Sequence, residues 1–198
     1  MFVSIISRRK SKSINAFATN MKTLFVAIIL ISITSFAYSQ KKEYVCTPCG
    51  RQCDNTVYSD AGTCGLCGMT LVERAAVKFK ELTFEEVCAR LKANPKAVLI
   101  DVRTPAEFKG SSDVESFGHF KNAININVEE LPSRLKEVSK YKSQEVLVYC
   151  SHSHRSPQAS YILSTNGFKN VSNIAGGVST ISQSDKDCLK TRFVSHGK

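Results

Sequence analysis

From Thr83 onward the apolar positions of the chain switch between two periods. Phe84, Val87, Cys88 and Leu91 recur at helical spacing behind Thr83-Phe84-Glu85-Glu86, a capping-box sequence, and Asn94-Pro95 stops that helix. Residues 97–102 form a short apolar run suited to a strand buried on both faces, and Thr104-Pro105 opens another helix. Residues 123–126 read as a weaker strand, while Leu131, Leu135 and Val138 mark a further helix. A clear strand at residues 146–149 runs straight into Cys150. Residues 157–164 then give a helix closed by Asn166-Gly167, and residues 171–174 a strand ending at Gly176-Gly177. Such alternation predicts an α/β domain over residues 83–198, an open, mostly parallel sheet with helices on both faces.

Upstream the pattern is different. Residues 40–72 hold five of the eight cysteines among glycines and turn formers. They carry too little apolar surface to fold unaided, so a metal or disulfides must hold them together. Residues 73–82 read as a linker. Residues 1–39 end in the form of a secretory signal: Lys22 behind Met21, an apolar stretch over residues 23–37, and Ala37-Tyr38-Ser39 ahead of a cut before Gln40. With a second methionine at position 21, residues 1–20 can be read as an upstream extension from a misplaced start. The protein is expected to be exported, to the periplasm, with membrane contact only if the signal stays uncleaved. Paired cysteines often oxidise there, so a disulfide framework competes with a metal site as the reading of residues 40–72.

The formal net charge of +10 suggests an anionic partner. However, five of the 27 basic residues and none of the 17 acidic ones lie in residues 1–39, and the rest shows no basic run with interleaved aromatics. Nucleic-acid binding is therefore not expected. The mild basicity that remains suits small anionic substrates.

A cysteine at the C-terminal end of a buried strand, followed by a polar loop and a helix, stands where open α/β sheets bind ligands. Backbone N–H groups of residues 151–156, the helix N-terminus and the charge of Arg155 would all favour the Cys150 thiolate. The blocks around it resemble the rhodanese family: Leu99-Ile100-Asp101-Val102-Arg103-Thr104-Pro105-Ala106-Glu107-Phe108, then Gly118-His119-Phe120-Lys121-Asn122-Ala123-Ile124-Asn125-Ile126, then Val148-Tyr149-Cys150 with Arg155-Ser156, then Gly167-Phe168 and Gly176-Gly177. The resemblance covers residues 82–181 and implies a rhodanese-like fold with sulfurtransferase activity. By that resemblance Cys150 attacks a sulfane sulfur donor such as thiosulfate, holds the sulfur as a persulfide and yields it to a thiol or cyanide acceptor, without a cofactor. Arg155 is its catalytic cation, and Ser151, His152, Ser153, His154 and Ser156 form the loop that binds the substrate anion. Asp101 matches the family's acidic residue near this loop; it either orients Arg155 or the loop backbone, or pairs with Arg103. Glu107 and Arg103 read as structural, and His119 as a support of the fold. The loop lacks the glycine and the leading basic residue common in the family. Its two histidines offer weak cations, proton donors or accidental metal ligands, or are simply solvated.

Cys46/Cys49 and Cys64/Cys67 are pairs with two residues between them, separated by fourteen residues, close to the spacing of a zinc ribbon. Gly50 and Gly68 permit the tight turn after each pair. The expected site is four thiolates, Cys46, Cys49, Cys64 and Cys67, around zinc or another divalent or soft metal, with Cys53 a fifth thiol within reach as a substitute ligand. Residues 44–72 also resemble the small heavy-metal-binding domain found beside metal transporters, although Pro48-Cys49 stands where that family usually has Met-His. Cys88 reads as core, and Cys188 has no assignable role.

The leading expectation is thus an exported rhodanese-type sulfurtransferase with a small N-terminal metal-binding module. Its partners are a small sulfane donor and a thiol acceptor, with a protein partner or reductant docking beside them. One rival is a metal-binding or metal-delivery protein that keeps the fold only as a scaffold, against which the intact Cys150 argues. The other is a related cysteine phosphatase, whose loop is one residue longer than that from Cys150 to Arg155. The two modules are expected to be chemically separable.

Overall fold

Alternate residues of a strand face opposite sides of its sheet, and in the central strands of this chain both sides are apolar. The computed structural model describes residues 41–113, 117–181 and 191–196; the signal-like segment and Cys188 lie outside the described residues. In chain order the elements are β1 (Tyr44–Cys46), a 3-10 turn (Gln52–Asn55), β2 (Val57–Tyr58), β3 (Leu71–Glu73), β4 (Lys80–Leu82), α1 (Phe84–Ala93), β5 (Val98–Asp101), α2 (Pro105–Lys109), β6 (His119–Phe120), β7 (Ile124–Asn125), α3 (Leu131–Val138), β8 (Glu145–Tyr149), α4 (Ser156–Thr165), β9 (Asn170–Ile174), α5 (Val178–Ile181) and β10 (Phe193–Val194). The described residues from Lys42 onward form one compact unit.

The main sheet has the order β4-β9-β8-β5-β7 and is parallel throughout. On one face Val98, Ile100, Val146, Val148 and Val171 pack with Leu131 and Val138 of α3 and with Ala159 and Leu163 of α4. On the other, Leu99, Leu147, Tyr149 and Ile174 pack with Phe84, Val87 and Leu91 of α1 and with Val178 and Ile181 of α5. The expected two-faced α/β architecture is the one observed. Two helices begin at full capping boxes: Thr83 with Glu86, and Thr104 with Glu107.

Two features depart from the sequence pattern. The predicted linker contains β4, which pairs with β9 from Lys80↔Ser172 to Leu82↔Ile174. Only Leu82 of its three residues is buried, so this edge strand offers no apolar run to detect. A short antiparallel pair, β6 with β10, brings Phe193 opposite Phe120. Cys88 on α1 packs against the core as expected, half-buried, and is disulfide-bonded.

Ahead of the sheet, β2-β1-β3 form a three-stranded antiparallel ribbon. Its interior is Cys46, Cys49, Cys53, Cys64 and Leu71, with Val45 also buried. No helix among the described residues is long and apolar enough to cross a membrane.

Candidate active site

Strand β8 continues the apolar alternation of Val146 and Val148 directly into Cys150, which is 1% exposed and belongs to the same side of the core. Its backbone is clamped at the C-terminal edge of the sheet. The Cys150 carbonyl accepts from Val178 N–H and the Ser151 carbonyl from Ser179 N–H, both at 2.9 Å. Gly177 permits this approach, because a Cβ there would stand 2.4 Å from the Cys150 carbonyl oxygen and 2.5 Å from that of Ser151. The buried hydroxyl of Ser156, at the start of α4, donates to Cys150 Sγ at 3.4 Å. Of the loop between them, Ser151 is buried, Ser153 and Arg155 are half-buried, and His152 and His154 are exposed.

Arg155 is fixed by a residue that the sequence pattern had marked as structural. Its Nη1 donates to Glu107 Oε2 at 2.8 Å and its Nη2 to Oε1 at 2.6 Å; Nη2 also reaches Ser151 Oγ, which itself donates to Glu107 Oε1. Glu107 is held in turn by the amide and hydroxyl of Thr104 through the capping box of α2. The Arg155 guanidinium, helped by Thr104 and opposed by burial, holds the Glu107 carboxyl down to about 2. Arg155 faces Cys150 closely enough for the two to interact electrostatically, and Glu107 raises its affinity for its proton. The cation beside the thiol is therefore permanent, but shared with a carboxylate.

Asp101 takes the other of its two expected roles. It receives Arg103 N–H, Nε and Nη2, the last at 2.6 Å, and both side chains are fully buried. Arg103 extends the link to the carbonyl of Gly118. The pair thus pins the segment that carries Phe117, whose ring meets His152 edge-on at 5.4 Å. Orientation of Arg155 belongs to Glu107, not Asp101. Its 48-residue separation from Arg155 left no local signal, although its place in a capping box was visible. The His119 ring lies tilted at 37° against Phe108, with its Nδ1 3.0 Å from His196 Nε2, a setting that fits the expected support of the fold. Burial first, then His196, lowers its proton affinity.

The Rhodanese-like domain family matches residues 83–184, the region that holds four of the five strands of the parallel sheet, Cys150 and its loop. The chain belongs to the rhodanese-like family. Among curated relatives, a sulfurtransferase of Allochromatium vinosum is 31% identical over 98 residues, covering 50% of this chain and 83% of that protein. A tRNA uridine(34) hydroxylase of Cronobacter sakazakii is 31% identical over 106 residues; the match takes in 51% of this chain but only 28% of the hydroxylase. Among solved structures, a rhodanese-related protein of Thermoplasma volcanium is 29% identical, covering 53% of this chain and 92% of that one at a TM-score of 0.43. The relatives support a rhodanese-type enzyme.

Outside the rhodanese-like domain, the ribbon brings together a group of thiols that includes Cys53, the fifth thiol within reach. The sulfurs of Cys46, Cys53, Cys64 and Cys67 all lie within 4.8 Å of one another. Cys49 belongs instead to an overlapping group with Cys46, Cys53 and Asp54. The 3-10 turn carries Cys53 inward, while Asp54 captures Cys49 through its amide at 2.9 Å and its thiol at 3.3 Å. Backbone N–H groups of Leu66 and Cys67 lower the Cys64 thiol to about 6, a shift that favours its thiolate. Burial and Asp54 push Cys49 up to about 12. Among the described residues, neither His152 nor His154 joins a metal-ligand group.

Nor does the ribbon stand apart from the loop that follows Cys150. Gly50, at φ 70°, lies so near the Ser153 carbonyl that a Cβ would stand 1.9 Å from its oxygen, and Gly50, Arg51, Gln52 and Asp54 share a cleft of about 490 Å3 with Glu81, His152 and Ser153. This direct contact is possible because Gly50 has no side chain, and it leaves the expected chemical separability of the two modules to experiment.

Proposed function

We propose that this chain is an exported sulfurtransferase in which Cys150 carries the sulfur. The observation behind the reading is the setting of Cys150: a thiol at the end of a buried parallel strand, hydrogen-bonded by Ser156 and facing the fixed charge of Arg155. An anionic donor such as thiosulfate is drawn to Arg155. The Cys150 thiolate attacks the outer sulfur, the donor's sulfur–sulfur bond breaks, and sulfite leaves with the bonding pair. A thiolate or cyanide then attacks the outer sulfur of the persulfide, and Cys150 departs with its electron pair as thiolate. Ser156 stabilises that thiolate by donating to it, and Glu107 keeps Arg155 in place through both steps. No cofactor takes part.

The sulfurs of Cys46, Cys53, Cys64 and Cys67 suit a closed tetrahedral site for zinc or another soft divalent ion, since four thiolates around zinc lie in just such a cluster. Bound there, the ion cross-links the ribbon and supplies no chemistry to sulfur transfer. Export to the periplasm is supported by the signal-like residues 21–39 and by the disulfide at Cys88, a bond that persists in oxidising compartments. The partners of this reading are a small sulfane donor, a thiol acceptor and a reductant that keeps Cys150 free. The hydroxylase relative shares too little of its length for its tRNA substrate to be carried over.

Intact mass after incubation with thiosulfate tests the assignment. A gain of one sulfur atom on the Cys150 peptide, discharged by cyanide as thiocyanate, is expected. Turnover of an aryl phosphate at a comparable rate would instead favour the phosphatase reading.

A further inference from the structure

Ser153 stands at φ 60°, the left-handed region that residues with a side chain avoid. Two parts of the chain, both distant in sequence, hold it there. From the sheet, the fully buried Asn173 of β9 donates from its amide to Ser153 Oγ at 2.7 Å and to Glu81 Oε2 of β4 at 2.6 Å. From the ribbon, Gly50 stands so close that a Cβ would lie 1.9 Å from the Ser153 carbonyl oxygen and 3.2 Å from His154 Cα. Gly50 is itself anchored, because Asp54 accepts from its amide at 2.7 Å and from the amide of Cys49.

We infer that Ser153 is the hinge of the catalytic loop, clamped between Asn173 and Gly50, and that this clamp positions the loop for sulfur transfer at Cys150. Asn173, Glu81 and Gly50 are positioning residues: they act on the reacting sulfur through Ser153 and do not touch the donor. Released from the clamp, Ser153 relaxes to negative φ, and the loop backbone that leads to Arg155 rotates with it. The same contact ties the thiol cluster to the active site, since Gly50 follows Cys49 and shares Asp54 with it. The inference rests on the sulfurtransferase reading of Cys150.

The experiment compares Asn173→Ala in two backgrounds, the natural chain and Ser153→Gly. Glycine takes the left-handed conformation without help, so Asn173 should matter less beside it. In the natural background Asn173→Ala is expected to lower kcat for thiosulfate about tenfold with a smaller change in KM, and in the Ser153→Gly background by less than about twofold. Equal losses in both backgrounds, or none in either, overturn the hinge. If Asn173→Ala does not fold, Glu81→Ala, at an exposed position of the edge strand, serves in the same comparison with a smaller expected loss. Gly50→Ala tests the other jaw: kcat should fall with metal content unchanged, and an unaltered kcat removes the ribbon from the clamp. Alkylation of the Cys150 peptide by iodoacetamide is followed in parallel and needs no sulfur chemistry. Loosening the loop should speed it, because the thiol is 1% exposed. A chain that forms no persulfide yet shows this background-dependent alkylation loses the sulfurtransferase reading and keeps the hinge. An alkylation rate unchanged by Asn173→Ala loses the hinge whatever the chain does with thiosulfate.

Discussion

The five-stranded sheet and the three-stranded ribbon differ in what keeps them folded. Around the sheet, two apolar layers cover both faces, and side chains such as Leu91, Ile100, Leu147 and Leu163 are removed from water almost completely. Truncating one such side chain to alanine costs about 2–5 kcal/mol, so the sheet holds itself together by many similar contacts. In the ribbon the buried side chains are mainly thiols, and among the described residues their sulfurs meet one another, Asp54, Tyr58 and backbone N–H groups of the ribbon itself. Its stability therefore hangs on whatever ties the sulfurs. The sheet can carry a reactive thiol as a passenger; the ribbon's thiols are its core.

The sharpest way to break that contrast is to remove one sulfur from each region. Cys150→Ser should abolish thiocyanate formation while the melting temperature and the metal content stay unchanged, since serine keeps the shape at the end of β8 but forms no persulfide. Cys64→Ser should do the reverse to the ribbon: loss of the bound metal and of protection against amide exchange at Tyr44–Cys46 and Leu71–Glu73, with the exchange pattern of the sheet retained. Metal-replete Cys64→Ser protein with a protected ribbon would show that the ribbon does not depend on its sulfurs.

A smaller effect is expected where the sheet relies on charge. Arg103→Ala leaves the Asp101 carboxylate buried without its partner, and urea unfolding should show a loss of about 3–5 kcal/mol. A loss below about 1 kcal/mol would mean that the pair contributes geometry and little stability.

The smallest is expected at Glu107, whose pair with Arg155 is only partly withdrawn from water, the side chains being 16% and 32% exposed. Glu107→Gln should cost about 1–2 kcal/mol of stability and lower kcat by releasing Arg155. The sign of its pH dependence follows from the depressed carboxyl. The stabilisation is fully present above the ordinary value of 4.5 and is lost as pH falls through about 2. Stability of the natural chain minus that of Glu107→Gln should thus be flat from pH 7 to about 5 and shrink below that. A difference that grows on acidification would contradict the pairing.

The amino-acid sequence by itself determined the α/β layering, the capped starts of α1 and α2, and the place of Cys150 at the end of a buried strand. Each of these rests on short-range pattern: apolar runs of strand length, a capping residue three positions before its glutamate, and a turn signal after the strand. What only the tertiary structure decided is which distant residues attend that thiol. Glu107 reaches Arg155 across 48 residues, Asn173 reaches Ser153 across 20, and the ribbon's Gly50 meets the same loop. The edge strand β4 belongs with these, since three residues with one buried side chain become a strand only when β9 lies alongside. The presence of Cys53 in the four-sulfur group has the same origin. Spacing counts residues along the chain, whereas a cluster forms from the thiols that a turn directs inward, and that direction was set by Asp54 and the 3-10 turn around it.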